Sequence, residues 1–78
     1  MTLLLVTREG CHLCAQTLEM LRELGHEPEL ADVDADDALH DLYDWRVPVV
    51  LIDGEVIAEG KIDRGALERR LNEAGLRP

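Results

Sequence analysis

The stretch Thr7-Arg8-Glu9-Gly10-Cys11-His12-Leu13-Cys14 contains both cysteines of this 78-residue chain and lies where a strand is followed by a helix. On its N-terminal side, Thr2 to Val6 is mostly apolar and β-prone, and Gly10 permits a sharp turn. From Cys11 onward, apolar residues recur at helical spacing. Both thiols therefore fall in the first helical turn. The unpaired backbone N–H groups and the positive end of the helix dipole favour a thiolate there.

Length and composition indicate one domain, residues 1–78, with a small core. Of the residues, 46% are apolar, but there is no Phe, and Tyr43 and Trp45 are the only aromatic side chains. Leu, Val, Ile and Ala must therefore fill the core. A disulfide between cysteines three positions apart constrains the unfolded chain little, so we expect the value of this pair to be chemical.

Several locations and partners are disfavoured by the sequence. The apolar run from Leu3 to Val6 is too short for a signal peptide or a transmembrane helix, so we expect a cytoplasmic protein. The formal charge of −9 argues against nucleic acid and anionic membranes as partners. We expect a monomer. In a reducing compartment, a C-x-x-C pair indicates redox or metal chemistry.

The first helix is predicted to bury one face and to end at Gly25. Its inner residues are Cys14, Thr17, Leu18, Met20, Leu21 and Leu24. His12, Gln16, Glu19 and Glu23 lie outside. Cys14 therefore falls on the buried side, and Cys11, at the start of the helix, is expected to be the accessible thiol.

The middle of the chain predicts an edge strand and a short helix. Pro28 to Asp34 alternates but is polar, which suits the edge of a sheet. Asp34 or Asp36 then caps a second helix that extends to about Tyr43. Its predicted inner face is Leu39, Leu42 and Tyr43.

The last third predicts a β-hairpin followed by a helix. Asp53-Gly54 suits a two-residue type I′ turn between the strands 48–52 and 55–59. Asp63 caps the last helix, whose inner residues are Leu67, Leu71 and Ala74, and Gly75 ends it. The predicted fold class is therefore α/β, in the order β-α-β-α-β-β-α. It has one four-stranded mixed sheet flanked by helices.

This element order resembles the thioredoxin superfamily in its shortest form, the glutaredoxins and glutaredoxin-like proteins. Three motifs carry the resemblance, which covers nearly the whole chain: Gly10 to Cys14 at the start of a helix, Val47-Pro48 before the third strand, and Gly60 to Asp63 after the fourth. The resemblance implies a thioredoxin-like fold of glutaredoxin type. It also implies that the protein is a thiol–disulfide oxidoreductase.

The resemblance assigns the catalytic roles to the two cysteines. Cys11 is the implied nucleophile, which attacks a disulfide, and Cys14 resolves the mixed disulfide. The expected substrate-binding residues are Arg8, His12, Arg46, Val47, Pro48, Gly60 and Asp63. His12 and Arg46 are expected from their places beside the cysteines and the Val-Pro motif, where the family usually has other residues, and the others are implied by the resemblance. Among them, Pro48 matches the family's cis-proline, Arg8 supplies a cation near the thiolate, and Asp63 matches a position that binds the amino group of glutathione.

The expected partners are disulfide-containing proteins or glutathione, with no bound cofactor. Two reductants stay open, glutathione and a protein of thioredoxin-reductase type. One reason is that Glu59, where the family often has glycine, is expected to add a negative charge near the docking site of an anionic tripeptide. The His-Leu dipeptide between the cysteines also differs from the Pro-Tyr of typical dithiol glutaredoxins.

Two alternatives remain beside this interpretation. The first is a non-catalytic thioredoxin-fold module that binds a protein or a metal through the same cysteines. A closed zinc site needs four ligands, and only His12, His26 and His40 could join the cysteines, without a second paired motif, so we expect no metal site. The second alternative concerns Trp45, which either forms a rim beside Cys11 or packs in the core.

Overall fold

The chain folds in the order predicted from its sequence. The structure is a computed structural model that describes residues 1–77. The elements are β1 (Leu3–Thr7), α1 (His12–Glu23), β2 (Glu29–Asp32), α2 (Asp37–Tyr43), β3 (Val49–Ile52), β4 (Glu55–Glu59) and α3 (Arg64–Glu73). Within the described residues, no helix has both the length and the apolar character needed to cross a membrane.

The strands form one mixed sheet in the spatial order β2-β1-β3-β4. β1 is parallel to β2 and antiparallel to β3, and β3 and β4 form the predicted antiparallel hairpin. β2 is an edge strand, as predicted, but it is shorter than the expected segment from Pro28 to Asp34. It ends at Asp32 because the N–H of Ala35 donates to the Asp32 carbonyl and closes a turn.

Both faces of the sheet are covered, and the two central strands, β1 and β3, are accordingly apolar except for Thr7 at the end of β1. On one face, Leu3 and Leu5 of β1 pack in a cluster with buried side chains from α1 and α3, among them Leu21 and Leu67. On the other face, Val6 packs in a second cluster that includes Tyr43 of α2. All four residues of β3 are buried.

The first and last helices bury the faces that their sequences predict. Cys14, Thr17 and Leu21 are buried in α1, and Leu67 and Leu71 are buried in α3. Leu18, Met20, Leu24 and Ala74 are partly buried against the same cluster. Because side chains from both helices meet in one cluster, α1 is anchored to the sheet along its length, and this fixes the position of its N-terminal turn.

Two expectations about the region around α2 are wrong. Leu42 was predicted to face the core but is 58% exposed, because the two-turn helix turns only Leu39 and Tyr43 toward the sheet. The expectation that Trp45 could pack in the core is also wrong, since that side chain is 92% exposed. Trp45 lies in the turn after α2, beyond the last residue that the helix buries. The cap of α2 is Asp36, whose carboxylate accepts a hydrogen bond from the N–H of Leu39 at 3.1 Å.

The hairpin turn has the predicted conformation. Asp53 and Gly54 both have positive φ, 50° and 84°, as a type I′ turn requires. Asp53 is further held by Thr2, whose N–H donates to the Asp53 carboxylate at 2.8 Å. The turn sets the pairing of Leu51 with Val56. A register shift between Val50 and Leu51 then sets the pairing of Val49 with Glu59, and with it the position of the loop that follows β4.

Candidate active site

The predicted site residues lie in or next to loops that meet at one end of the sheet, where β1, β2 and β4 end and β3 begins. Thr7, the last residue of β1, pairs with Asp32, the last residue of β2. Val49, the first residue of β3, pairs with Val6 on one side and with Glu59, the last residue of β4, on the other. The loops after β1, β2 and β4 and the loop before β3 are therefore neighbours.

Cys11 and Cys14 form a disulfide at the mouth of α1, with their Cα atoms 5.2 Å apart. Cys11 is the N-cap of the helix, and its Sγ accepts a hydrogen bond from the N–H of Cys14 at 3.1 Å. Gly10, with φ of +78°, makes the turn that aims the chain into the helix. A negative charge on the Cys11 sulfur would thus meet a backbone donor and the positive end of the helix dipole.

The two sulfur-bearing residues differ in exposure, as predicted. Cys14 is 3% exposed, whereas Cys11 is only half-buried. Cys14 is held on the inner side of α1, and Cys11 lies at the rim where the loop from β1 enters the helix. An attacking thiolate that approaches the disulfide from solvent therefore reaches Cys11 first.

Arg8 is tied to two aspartates. Its Nε and Nη2 donate to the two carboxylate oxygens of Asp34, each at 2.8 Å, and its Nη1 donates to the carbonyl of Asp44 at 2.9 Å. Nη2 also donates to the Asp44 carboxylate. These contacts hold the pKa of Arg8 above its ordinary value and the pKa of the Asp34 carboxyl below its own. The cation expected beside the thiolate is thus already shared between two carboxylates.

The same cluster includes His40, whose Nε2 lies 3.4 Å from Asp44 Oδ1. Asp34, His40 and Asp44 each offer a possible ligand atom, all within 4.8 Å of one another. The guanidinium of Arg8, however, donates to the Oδ1 atoms of both aspartates. The group therefore forms an ion-pair network that joins the loops after β1, β2 and α2, and we assign no metal to it.

Arg46 and Glu59 form a second ion pair at this end of the sheet. Nε of Arg46 donates to Glu59 Oε2 at 3.1 Å, and a further bond joins Nη2 to the same carboxylate. Arg46 also lies over the ring of Tyr43, 5.0 Å from its centroid. The pair lowers the pKa of Glu59 and raises that of Arg46. The negative charge expected from Glu59 is therefore balanced by its neighbour.

Val47, Pro48 and Gly60 lie where the loop before β3 meets the loop after β4. The Val47-Pro48 peptide is cis, Pro48 is buried, and its carbonyl accepts a hydrogen bond from the N–H of Gly60 at 2.8 Å. Val47 is half-buried against the second core cluster. These contacts link the two predicted loops. Their contact with a substrate stays a prediction.

His12 and Asp63 have different surroundings from those central residues. His12, the first residue of α1, is exposed. Asp63 caps α3, since its Oδ2 accepts a hydrogen bond from the N–H of Ala66 at 3.0 Å. Its observed contact is thus with its own helix, and its role toward glutathione stays a prediction.

A groove that was not predicted from the sequence opens beside the disulfide. It has a volume of about 440 Å³, and its apolar walls are Ala15 and Leu18 of α1 and Leu30 of β2. Cys11 and Cys14 lie along it, with Arg8 and His12 also in its lining. We call this feature the disulfide groove. The residues that line it in the described chain do not include Arg46, Val47, Pro48, Gly60 or Asp63. The signal in the sequence was Leu30, a large apolar residue on an edge strand that begins and ends with the acidic residues Glu29 and Asp32.

Comparisons with known proteins agree with this geometry. A family model described as a glutaredoxin-like domain (DUF836) matches residues 2–72. The solved structure of protein XcR50 from X. campestris is 31% identical, with a TM-score of 0.82, over 92% of this chain and 97% of its own. Protein Ne2328 from Nitrosomonas europaea is 30% identical, with a TM-score of 0.73, over 87% of each chain.

A further similar structure is a buckwheat glutaredoxin–glutathione complex. It is 25% identical, with a TM-score of 0.69, over 97% of this chain and 81% of its own. No curated protein sequence matches the chain. The similar structures confirm the predicted fold, a thioredoxin-like sheet of glutaredoxin type.

Proposed function

Because this chain belongs to the glutaredoxin-like domain family (DUF836), we propose that it is a thiol–disulfide oxidoreductase that uses Cys11 and Cys14 as its dithiol. The fold and the C-x-x-C pair together support a thiol-redox module. One observation carries the more specific proposal. The pair lies at a helix N-terminus with one sulfur-bearing residue at the rim and the other 3% exposed.

The proposed reaction begins with the reduced dithiol. The Cys11 thiolate attacks one sulfur of a substrate disulfide, so that a Cys11–substrate bond forms as the substrate's own S–S bond breaks. The departing thiolate takes a proton from solvent. The Cys14 thiol then loses its proton and attacks Cys11 Sγ, which releases the second substrate thiol. Two electrons pass from the cysteine pair to the substrate, and the protein is left with the Cys11–Cys14 disulfide.

The surroundings of the pair support these roles. The N–H of Cys14 donates to Cys11 Sγ at 3.1 Å, and that donor would stabilise the negative charge on sulfur before attack and during resolution. The Cα atoms of the closed pair are 5.2 Å apart, within the range that a disulfide requires, so the first turn of α1 accommodates the bond. The burial of Cys14 protects it from external disulfides, so that it reacts with Cys11 instead.

We propose glutathione as one reductant of the disulfide and a thioredoxin-reductase-type protein as the other candidate. Glutathione is favoured by the likeness to the buckwheat glutaredoxin–glutathione complex. It is also favoured by the pairing of Arg46 with Glu59, which removes the repulsion that Glu59 alone would exert on an anionic tripeptide. A reducing compartment such as the cytoplasm would supply either reductant.

The decisive experiment separates the two cysteines. Reduced wild-type protein, Cys11→Ser and Cys14→Ser are each mixed with glutathione disulfide and analysed by intact mass. We expect an internal disulfide in the wild type, a stable glutathione adduct in Cys14→Ser, and no adduct in Cys11→Ser. Equal adducts on both variants would contradict the assigned order of attack. Absence of reaction in all three proteins would contradict the use of glutathione, and the same experiment with a disulfide-bonded peptide would then test the oxidoreductase itself.

A further inference from the structure

The disulfide groove has a surface suited to an apolar side chain. Leu30 pairs with Leu5 in the sheet register, and this places its side chain on the same face as α1. It is 54% exposed there, opposite Ala15 and Leu18. The groove volume of about 440 Å³ lies within the range of roughly 300–1,000 Å³ typical of ligand pockets. A branched or aromatic side chain could therefore enter the groove and lie next to Cys11, which is part of its lining.

The charges around the disulfide groove are negative. Glu9 and Asp32 are exposed. Glu9 lies between Arg8 and Gly10 of the groove lining, and Asp32 lies on the strand that forms its wall, paired with Thr7 of the lining. The one arginine in the lining, Arg8, is already held by two aspartates. An anionic ligand would thus meet unbalanced carboxylates, whereas a cationic one would be attracted.

We propose that the disulfide groove binds a large apolar side chain next to the reacting cysteine of a protein substrate, in a segment flanked by lysine or arginine. This inference rests on the proposed function and names its substrate class. A second copy of the chain fits less well, because the protein has a net charge of −9. Pairing the β2 edge strands of two copies would place like charges against each other.

The test uses synthetic peptides that carry cysteine as a mixed disulfide with thionitrobenzoate, whose release is followed by absorbance. One peptide has leucine beside the cysteine and lysines on both flanks, and a second has serine in place of the leucine. In a single turnover of the reduced wild-type protein, we expect the second-order rate constant for thionitrobenzoate release to be about tenfold higher with the leucine peptide than with the serine peptide. A third peptide with glutamates in place of the lysines should react more slowly, by a factor that shrinks as salt is added.

Two exposed leucines provide a matched pair of variants. Leu30 is 54% exposed in the disulfide groove, and Leu42 is 58% exposed on α2 outside it. Leu30→Ala should abolish most of the preference for the leucine peptide over the serine peptide. Leu42→Ala should keep the wild-type preference. Equal preference in the two variants would overturn the inference.

The outcomes also separate this inference from the proposed function. If all peptides react at the same rate, the oxidoreductase stands and the groove's role in recognition is refuted. If none reacts, the proposed function fails, and binding is then read with a peptide that carries serine instead of cysteine. Shifts of the Leu30 and Leu18 amide signals in NMR spectra on titration would still support the groove as a binding site. Unchanged signals would overturn it.

Discussion

Asp63 has two assigned roles that a pair of substitutions can separate. Its carboxylate caps α3 through the N–H of Ala66, at 3.0 Å. The family resemblance implies that the same carboxylate binds the amino group of glutathione. Asp63→Ala removes the capping oxygen and the charge together. Asp63→Asn keeps an oxygen acceptor at the helix end and removes the charge alone.

The expected loss of stability follows from what α3 contributes to the core. Leu67 and Leu71 of this helix are fully or almost fully buried, so its first turn cannot fray without disturbing the packing. Loss of an N-cap costs about 1 kcal/mol. A domain of this size loses about 4–8 °C in Tm for each kcal/mol. We therefore expect Asp63→Ala to lower Tm by about 4–8 °C, and Asp63→Asn to stay within about 0.5 kcal/mol of the wild type.

Thermal unfolding followed by circular dichroism, with the disulfide closed in every sample, measures the capping role. The rate of disulfide reduction at increasing glutathione concentration measures the other role. If the carboxylate binds glutathione, both variants raise KM, although only Asp63→Ala is destabilised. A wild-type Tm in Asp63→Ala would refute the capping argument, and a wild-type KM in Asp63→Asn would refute the implied contact with glutathione.

Three further predictions concern stability. Leu5→Ala, at a fully buried position, should cost about 2–5 kcal/mol in denaturant unfolding, whereas Leu42→Ala should stay within about 0.5 kcal/mol; equal costs would contradict the core described above. Arg8 lowers the pKa of the Asp34 carboxyl below its ordinary value of 3.8. Their pairing therefore stabilises the protein fully at pH values above 3.8, and this stabilisation is lost as the pH falls through the lowered pKa. Asp34→Asn should therefore be less stable than the wild type near neutral pH and approach it in acid, and a constant difference across a pH series of unfolding curves would refute this linkage. Gly54→Ala forces a side chain into φ of +84°, which should cost about 1–2 kcal/mol by thermal unfolding; an unchanged Tm would argue against the turn.

Much of the fold could be predicted because local signals agreed with one another. Asp53-Gly54 determines a turn that few other dipeptides adopt, and a helix N-cap is visible in Asp63 because its side chain reaches a backbone N–H three residues later. The spacing of Cys11 and Cys14 also predicted which thiol would be buried. Each of these features depends on residues close together in the chain.

The features that could not be predicted depend on residues far apart in the chain. Arg8 was expected to supply a cation near the thiolate, and its pairing with Asp34 and Asp44, which come 26 and 36 positions later, was not predicted. The pairing of Arg46 with Glu59 escaped prediction for the same reason. Leu30 could be recognised as unusual for an edge strand, but the sequence alone does not place it across from Leu18.

The most direct test of the central claim is the redox state of Cys11 and Cys14 after equilibration in a series of glutathione buffers. Samples are quenched in acid, alkylated and weighed by intact mass spectrometry. We predict one two-electron transition between dithiol and disulfide, governed by the ratio of squared glutathione to glutathione disulfide concentrations. In the reduced protein, brief alkylation at neutral pH should label Cys11 before Cys14. Two thiols that stay free across the whole series, or that alkylate at equal slow rates, would contradict the account.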